Sequence, residues 1–242
     1  MRKAEKENNM KKIRRLAALL VLLMAVVACC PTAPVVSHAS VPQAEPPHSV
    51  WQILRASPSF SLMLAGVFFA LTAVMPIVNF MVNIVVSRGG NETHLGLALF
   101  LMGASELPAA LLFPHLRRRL GSRGTLVLSI VFMAIKPLLF WLTPSLGWVL
   151  AVQPVQMPGY GLFTPASVYY ANENVSPADR VRGQAVMMMA SNGLGGMAGN
   201  LAAGYAIDLG GVNAMLALCT CCGAAGVACA LAALRLQRQK KA

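Results

Sequence analysis

Beyond Phe60 the chain reads as long apolar runs separated by short polar stretches. Residues 60–87 and 185–207 contain no Asp, Glu, Lys or Arg, and each exceeds the roughly 20 residues that cross the hydrocarbon core of a bilayer as a helix. The same pattern marks six apolar segments, at 60–87, 95–116, 125–142, 146–170, 184–207 and 213–234. Backbone groups surrounded by lipid must be satisfied inside the protein, which favours helices over isolated strands. The pattern therefore predicts an all-α membrane protein, a six-helix transmembrane bundle over residues 51–242 with a further apolar segment before it.

That earlier segment is of a different kind. Lys11, Lys12, Arg14 and Arg15 precede an apolar run from Leu16 to Cys30, which gives the charged and apolar regions of a secretory signal. Val26-Val27-Ala28-Cys29 is similar to a lipoprotein cleavage box. Continued to Val36, the run instead reaches the length of an extra span. Residues 31–47, rich in Pro, Ala and Ser, read as a connector. Two regions follow: 1–50, a basic tail with a signal-like or membrane segment and a linker, and 51–242, the bundle.

Composition and charge place the bundle in a membrane. Hydrophobic residues make up 57% of the chain and charged residues 12%, too few to cover a water-soluble fold of this size. The net charge of +12 raises the possibility of nucleic-acid binding. However, Lys and Arg fall between and beyond the apolar runs, with no basic face interleaved with aromatic residues, so no nucleic-acid partner is expected. Arg55, the group Arg117, Arg118, Arg119 and Arg123, the pair Arg180 and Arg182, and the C-terminal basic residues occupy alternate connections, whereas the opposite connections carry only Arg88. The positive-inside bias then puts both ends of the bundle on the cytoplasmic side of the cell membrane. Trp141 and Trp148 flank an uncharged connection where an aromatic belt would lie. Cys219, Cys221, Cys222 and Cys229 sit among Ala, Gly and Leu and read as small packing residues; no metal or cofactor is expected.

Charges inside the runs are the informative positions, because one at the bilayer centre costs about 3 to more than 10 kcal/mol unless paired or hydrated. Glu106 lies near the middle of the second run and Lys136 past the middle of the third. A carboxylate against apolar walls suits proton coupling; Lys136 reads as its structural ion-pair partner or as a side chain reaching toward the interface. Asn79, Asn83, Gln153, Gln156, Tyr160 and Asn192 supply amide and hydroxyl groups for a substrate path. Hydrogen bonds between helices account for the same residues equally well. Asn79 and Asn83 share a helix face by spacing, as do Gln156 and Tyr160. Pro76, Pro108, Pro137, Pro154, Pro158 and Pro165, inside the runs, predict bent helices, and Gly195 and Gly199 form a small-xxx-small face for close packing.

The motif Gly103-Ala104-Ser105-Glu106-Leu107-Pro108, the basic stretch Leu116 to Arg123 with Gly121 inside it, Asp179-Arg180-Val181-Arg182-Gly183-Gln184, and Gly204 to Gly210 occur in an order that resembles the C-terminal half of a major facilitator superfamily transporter. The nearest flavour is the group of phenylpropionate permeases and sugar efflux transporters. The resemblance covers about residues 51–242. It implies a substrate path between two six-helix halves, lined by the first, second, fourth and fifth runs, with Lys136 on a more peripheral helix. It also implies that the basic stretch Arg117, Arg118, Arg119 and Arg123 holds a closed state through charge contacts at helix ends, and that Asp179 and Arg180 lie in the next cytoplasmic connection. The basic stretch itself contains no acidic residue.

The expected activity is secondary transport of a small organic solute, proton-coupled, by a half-length chain that works beside a second half-transporter or a second copy of itself. The alternative is a membrane subunit or scaffold that transports nothing, or a non-functional fragment. An enzyme is not expected: Asn172, Glu173, Asp179 and Arg180 are the only cluster that suggests one, and they more simply end a helix and orient a connection.

Overall fold

Helices account for nearly all of the residues described in this computed structural model, 50–142 and 145–239, and no strand occurs among them. The signal-like run and the Pro-rich stretch lie outside the described residues. The elements are α1 (Val50–Ala56), α2 (Pro58–Asn79), α3 (Met81–Ser87), α4 (Glu92–Leu142), α5 (Leu146–Ala151), α6 (Leu162–Asn174), α7 (Arg180–Met188) and α8 (Gly196–Gln239). A 3₁₀ turn at Gln153–Gln156 and a π turn at Met157–Gly161 join α5 to α6, and a second π turn at Met189–Gly195 joins α7 to α8. Among the described residues three helical stretches are long and apolar enough to cross a membrane: Pro58–Asn79, Glu92–Leu142 and Pro177–Gln237. The fourth run fails that measure because its helix is interrupted twice.

The 51 residues of α4 would extend roughly 76 Å as a straight helix, more than twice the hydrocarbon thickness. They do not. Gly121, at φ 71° and ψ 170°, leaves the helical region, a conformation open to glycine because it has no Cβ. Glu106 and Lys136, fifteen residues to either side, reach the same Gln156 side chain, so the chain doubles back at this glycine. α8 likewise breaks at Gly210 and Gly211, the latter at φ 72°. Its two arms, 196–209 and 212–239, both return to α2: a Cβ at Gly199 would lie 2.6 Å from the Thr72 oxygen, and one at Gly226 would lie 3.0 Å from the Ala70 nitrogen.

These contacts show why α2 sits where it does. Gly66 and Ala70, one turn apart, meet Gly226 and Ala230; Phe68, Leu71 and Thr72, on the opposite face of α2, meet Gly195 and Gly199. Small residues let backbones approach where lipid supplies no hydrophobic drive for association. Pro76 has no N–H, so the Thr72 carbonyl lacks its usual donor four residues on, and Gly199 closes against that oxygen.

Contacts place the basic residues at one end. Phe60, near the start of α2, stacks on Tyr170, with ring centroids 6.0 Å apart. Gln237 bonds Tyr170 and Asn174, and Arg123 bonds Asn174 at 3.0 Å. At the other end Arg88 bonds Asn213 at 3.0 Å. One apolar cluster, with Met63, Val67, Leu126, Ile130 and Phe163, packs toward the basic end. A second, with Ile77, Met81, Phe140, Val149 and Met215, packs toward the other.

Candidate functional site

Between the two clusters lies a chain of three polar side chains. Lys136, 1% exposed, donates from Nζ to Gln156 Oε1 at 2.6 Å. Gln156, also buried, donates from Nε2 to Glu106 Oε1 at 3.0 Å. An amide suits this place because it presents an acceptor to the ammonium and a donor to the carboxylate at once. The two charges thus meet through a neutral intermediary instead of by direct contact. The Lys136 ammonium also stands 5.9 Å from the centre of the Phe140 ring, within reach of a cation–π contact.

Local backbone positions Gln156. It closes the 3₁₀ turn, and Pro154 and Pro158 bracket it. Gly159 and Gly161 in the π turn that follows allow α4 to press in: a Cβ at Gly161 would lie 2.8 Å from Ala109 Cβ, and one at Gly159 would lie 3.4 Å from Met133 Cγ. Wide turns of this kind are frequent at functional positions. Glu106 is half-buried and opens on a cleft of about 530 Å³, walled by Phe113, Gly161, Thr164, Pro165 and Tyr169.

The other substrate-path residues divide into separate places. Tyr160 Oη and Asn192 Oδ1 stand 3.5 Å apart, joining the two π turns. Asn79 donates to Asn200 Oδ1 at 3.0 Å. Asn83, expected on the same face as Asn79, lies beyond the break at Phe80 and lines a small cleft with Ser87 and Val212. Gln153 is fully buried and points away from Glu106, donating to the Val149 carbonyl at 3.1 Å.

At the basic end the structure adds what the sequence did not show. The stretch Arg117 to Arg119 is helical, and Gly121 alone makes the turn. Its missing acid comes from elsewhere: Arg117 pairs with Glu173 at 3.2 Å, Ser122 donates to the same carboxylate at 2.7 Å, and the Arg117 guanidinium lies 3.8 Å from the centre of the Tyr169 ring. Glu173 carries no motif; only its place at the end of α6 reveals it. Asp179 is buried and accepts from Ser176 at 2.7 Å, and Arg180 is exposed. Asn172 bonds Gln184, so the residues that suggested an enzyme are distributed among structural contacts.

The MFS_1 like family matches residues 7–217 of the chain. The maltose permease of Geobacillus stearothermophilus is 29% identical over 175 residues, covering 70% of this chain and 44% of the permease. The crystal structure of the nucleoside transporter NupG has a similar fold, with a TM-score of 0.61 over 90% of this chain and 58% of that one at 19% identity. The chain thus spans less than half the length of the permease and under two thirds of the nucleoside transporter.

Proposed function

The chain belongs to the MFS_1 like family, and from that premise we propose that it forms one wall of a secondary transporter for a small, neutral, hydroxyl-rich solute. Glu106 is the proton-coupling group. The observation that carries this reading is the Lys136–Gln156–Glu106 chain, which ends in a carboxylate at an open cleft. A charge in that place costs several kcal/mol unless it is used or compensated. Glu106 can take and release a proton while Lys136, held out of the cleft, offsets its charge through the amide.

In this reading the polypeptide after Trp51 crosses the cell membrane six times, reversing at Gly121 and Gly211, with its arginine-rich end in the cytoplasm. Tyr160 and Asn192 bring neutral donors and acceptors to the path, which suits hydroxyl groups. The relatives' names, a maltose permease and a nucleoside transporter, agree with such a solute. Large apolar side chains stand exposed on α7 and the first arm of α8, among them Val181, Met197, Leu201 and Tyr205. A second helical unit, from the same polypeptide, another chain or another copy, would complete the path there.

Uptake of radiolabelled maltose and uridine into proteoliposomes, driven by an imposed proton gradient, tests this reading. Glu106→Gln is expected to abolish gradient-driven accumulation and to leave exchange of internal for external solute. Equal accumulation by the parent protein and the variant would remove Glu106 from proton coupling, and no accumulation by the parent with any candidate partner half would leave the scaffold alternative standing.

A further inference from the structure

A groove lies beside the basic end, away from Glu106. Its roof is α1, fixed in place by Ser61, which donates to the Leu54 carbonyl at 2.7 Å. Leu64, Ala65 and Phe68 of α2 form one wall, and Val186, Met189 and Ala190 form the other. Both sets follow helical spacing, so the walls are two parallel stripes. The volume is about 680 Å³ and the lining is almost entirely apolar. Among the described residues its one ionisable lining residue is Arg55, 5.1 Å from the centre of the exposed Trp51 ring.

We infer that this groove binds one anionic phospholipid, its phosphate against Arg55 and an acyl chain along the stripes below. Three features identify the occupant. Among the described residues the lining carries a single positive charge and no acidic residue, and arginine is suited to phosphate by its planar fork of donors. From Ser61 to Phe68 the wall runs roughly 10 Å along the helix axis, which takes a chain from the interface well into one leaflet of about 15 Å. Trp51 and Arg55 together form the pairing of aromatic ring and cation that belongs at headgroup depth. A cytoplasmic leaflet rich in anionic lipid would supply the ligand.

The inference rests on the membrane reading and not on any solute, and its test records lipid contact, not flux. The full chain carrying Trp141→Phe and Trp148→Phe leaves Trp51 as the only tryptophan. It would be reconstituted in vesicles of brominated phosphatidylcholine with increasing brominated phosphatidylglycerol, and quenching of Trp51 followed. The expected preference for phosphatidylglycerol is about fivefold, the scale of one basic side chain at an anionic surface. Arg55→Gln should reduce it to about one and Arg55→Lys should keep most of it, with helical content unchanged by circular dichroism. Ala65→Phe, which fills the groove, should weaken quenching by both lipids. Equal quenching by the two lipids in the parent, or a preference that survives Arg55→Gln, overturns the site. Loss of the preference on adding inorganic phosphate would reduce it to a soluble-anion site, and no quenching by either lipid would mean that protein covers the groove; both results overturn the inference.

Discussion

At the scale of single residues, the interior is organised by one amide. Removing Glu106 leaves Lys136 buried without compensation, which in buried pairs costs about 3–5 kcal/mol, removing Lys136 leaves the half-buried Glu106 at a smaller cost, and removing both can be nearly neutral. Glu106→Gln and Lys136→Met are each expected to lower the melting temperature in detergent, and the double variant should recover most of the loss; additive losses would contradict coupling through Gln156. The ion pair at the basic end is a weaker device. Arg117 and Glu173 are both partly exposed, so Glu173→Gln should cost only about 1 kcal/mol, measured by the same melting experiment. Glu106 and Lys136 were legible because a charge inside an apolar run stands out. Gln156 was visible only as one polar residue among several, since its role depends on two side chains fifteen residues either side of a turn. Asn79 and Asn83, placed on one face by helical spacing, reach different surroundings, Asn200 and the small cleft beside Val212, across the change of backbone geometry at Phe80.

At the scale of elements, close approach is decided by glycines that look alike in the sequence. A Cβ at Gly199 would meet the Thr72 backbone at 2.6 Å, whereas at Gly193 the nearest atom would be 3.9 Å away. Gly199→Leu should therefore destabilise by about 1–3 kcal/mol through overpacking, while Gly193→Ala should be neutral or slightly stabilising through helix propensity. Heat-challenged size-exclusion profiles would rank the two, and a reversed order would contradict the packing of α2 between the arms of α8. The Gly195 and Gly199 pair was readable from its spacing. Gly66 with Ala70 and Gly226 with Ala230 carry the same signature, yet only the fold shows that they face each other. The prolines did not indicate that the fourth run would pass through a 3₁₀ turn and a π turn around Gln156, because propensity does not report where a neighbouring helix presses in.

At the scale of the whole molecule, the arginines predicted for alternate connections gather at one end, with Arg88 and Asn213 opposite. Cysteine introduced at Arg118 in the intact chain is expected to resist a membrane-impermeant maleimide applied outside cells, and one at Asn213 to react; the opposite pattern would invert the proposed orientation. The order of apolar runs made the helical architecture legible from hydropathy alone. What hydropathy did not supply was the economy of the reversals, since a basic stretch read as a loop is helix up to a single glycine.

That economy ties distant angles together. With only Gly121 between the two arms of α4, there is no slack to absorb a change in length. One residue inserted after it would turn the following arm by about 100°, swinging Lys136 off the amide and into lipid while leaving every contact before the turn untouched. The azimuth of the buried ammonium is thus set some fifteen residues away, at a position that has no side chain.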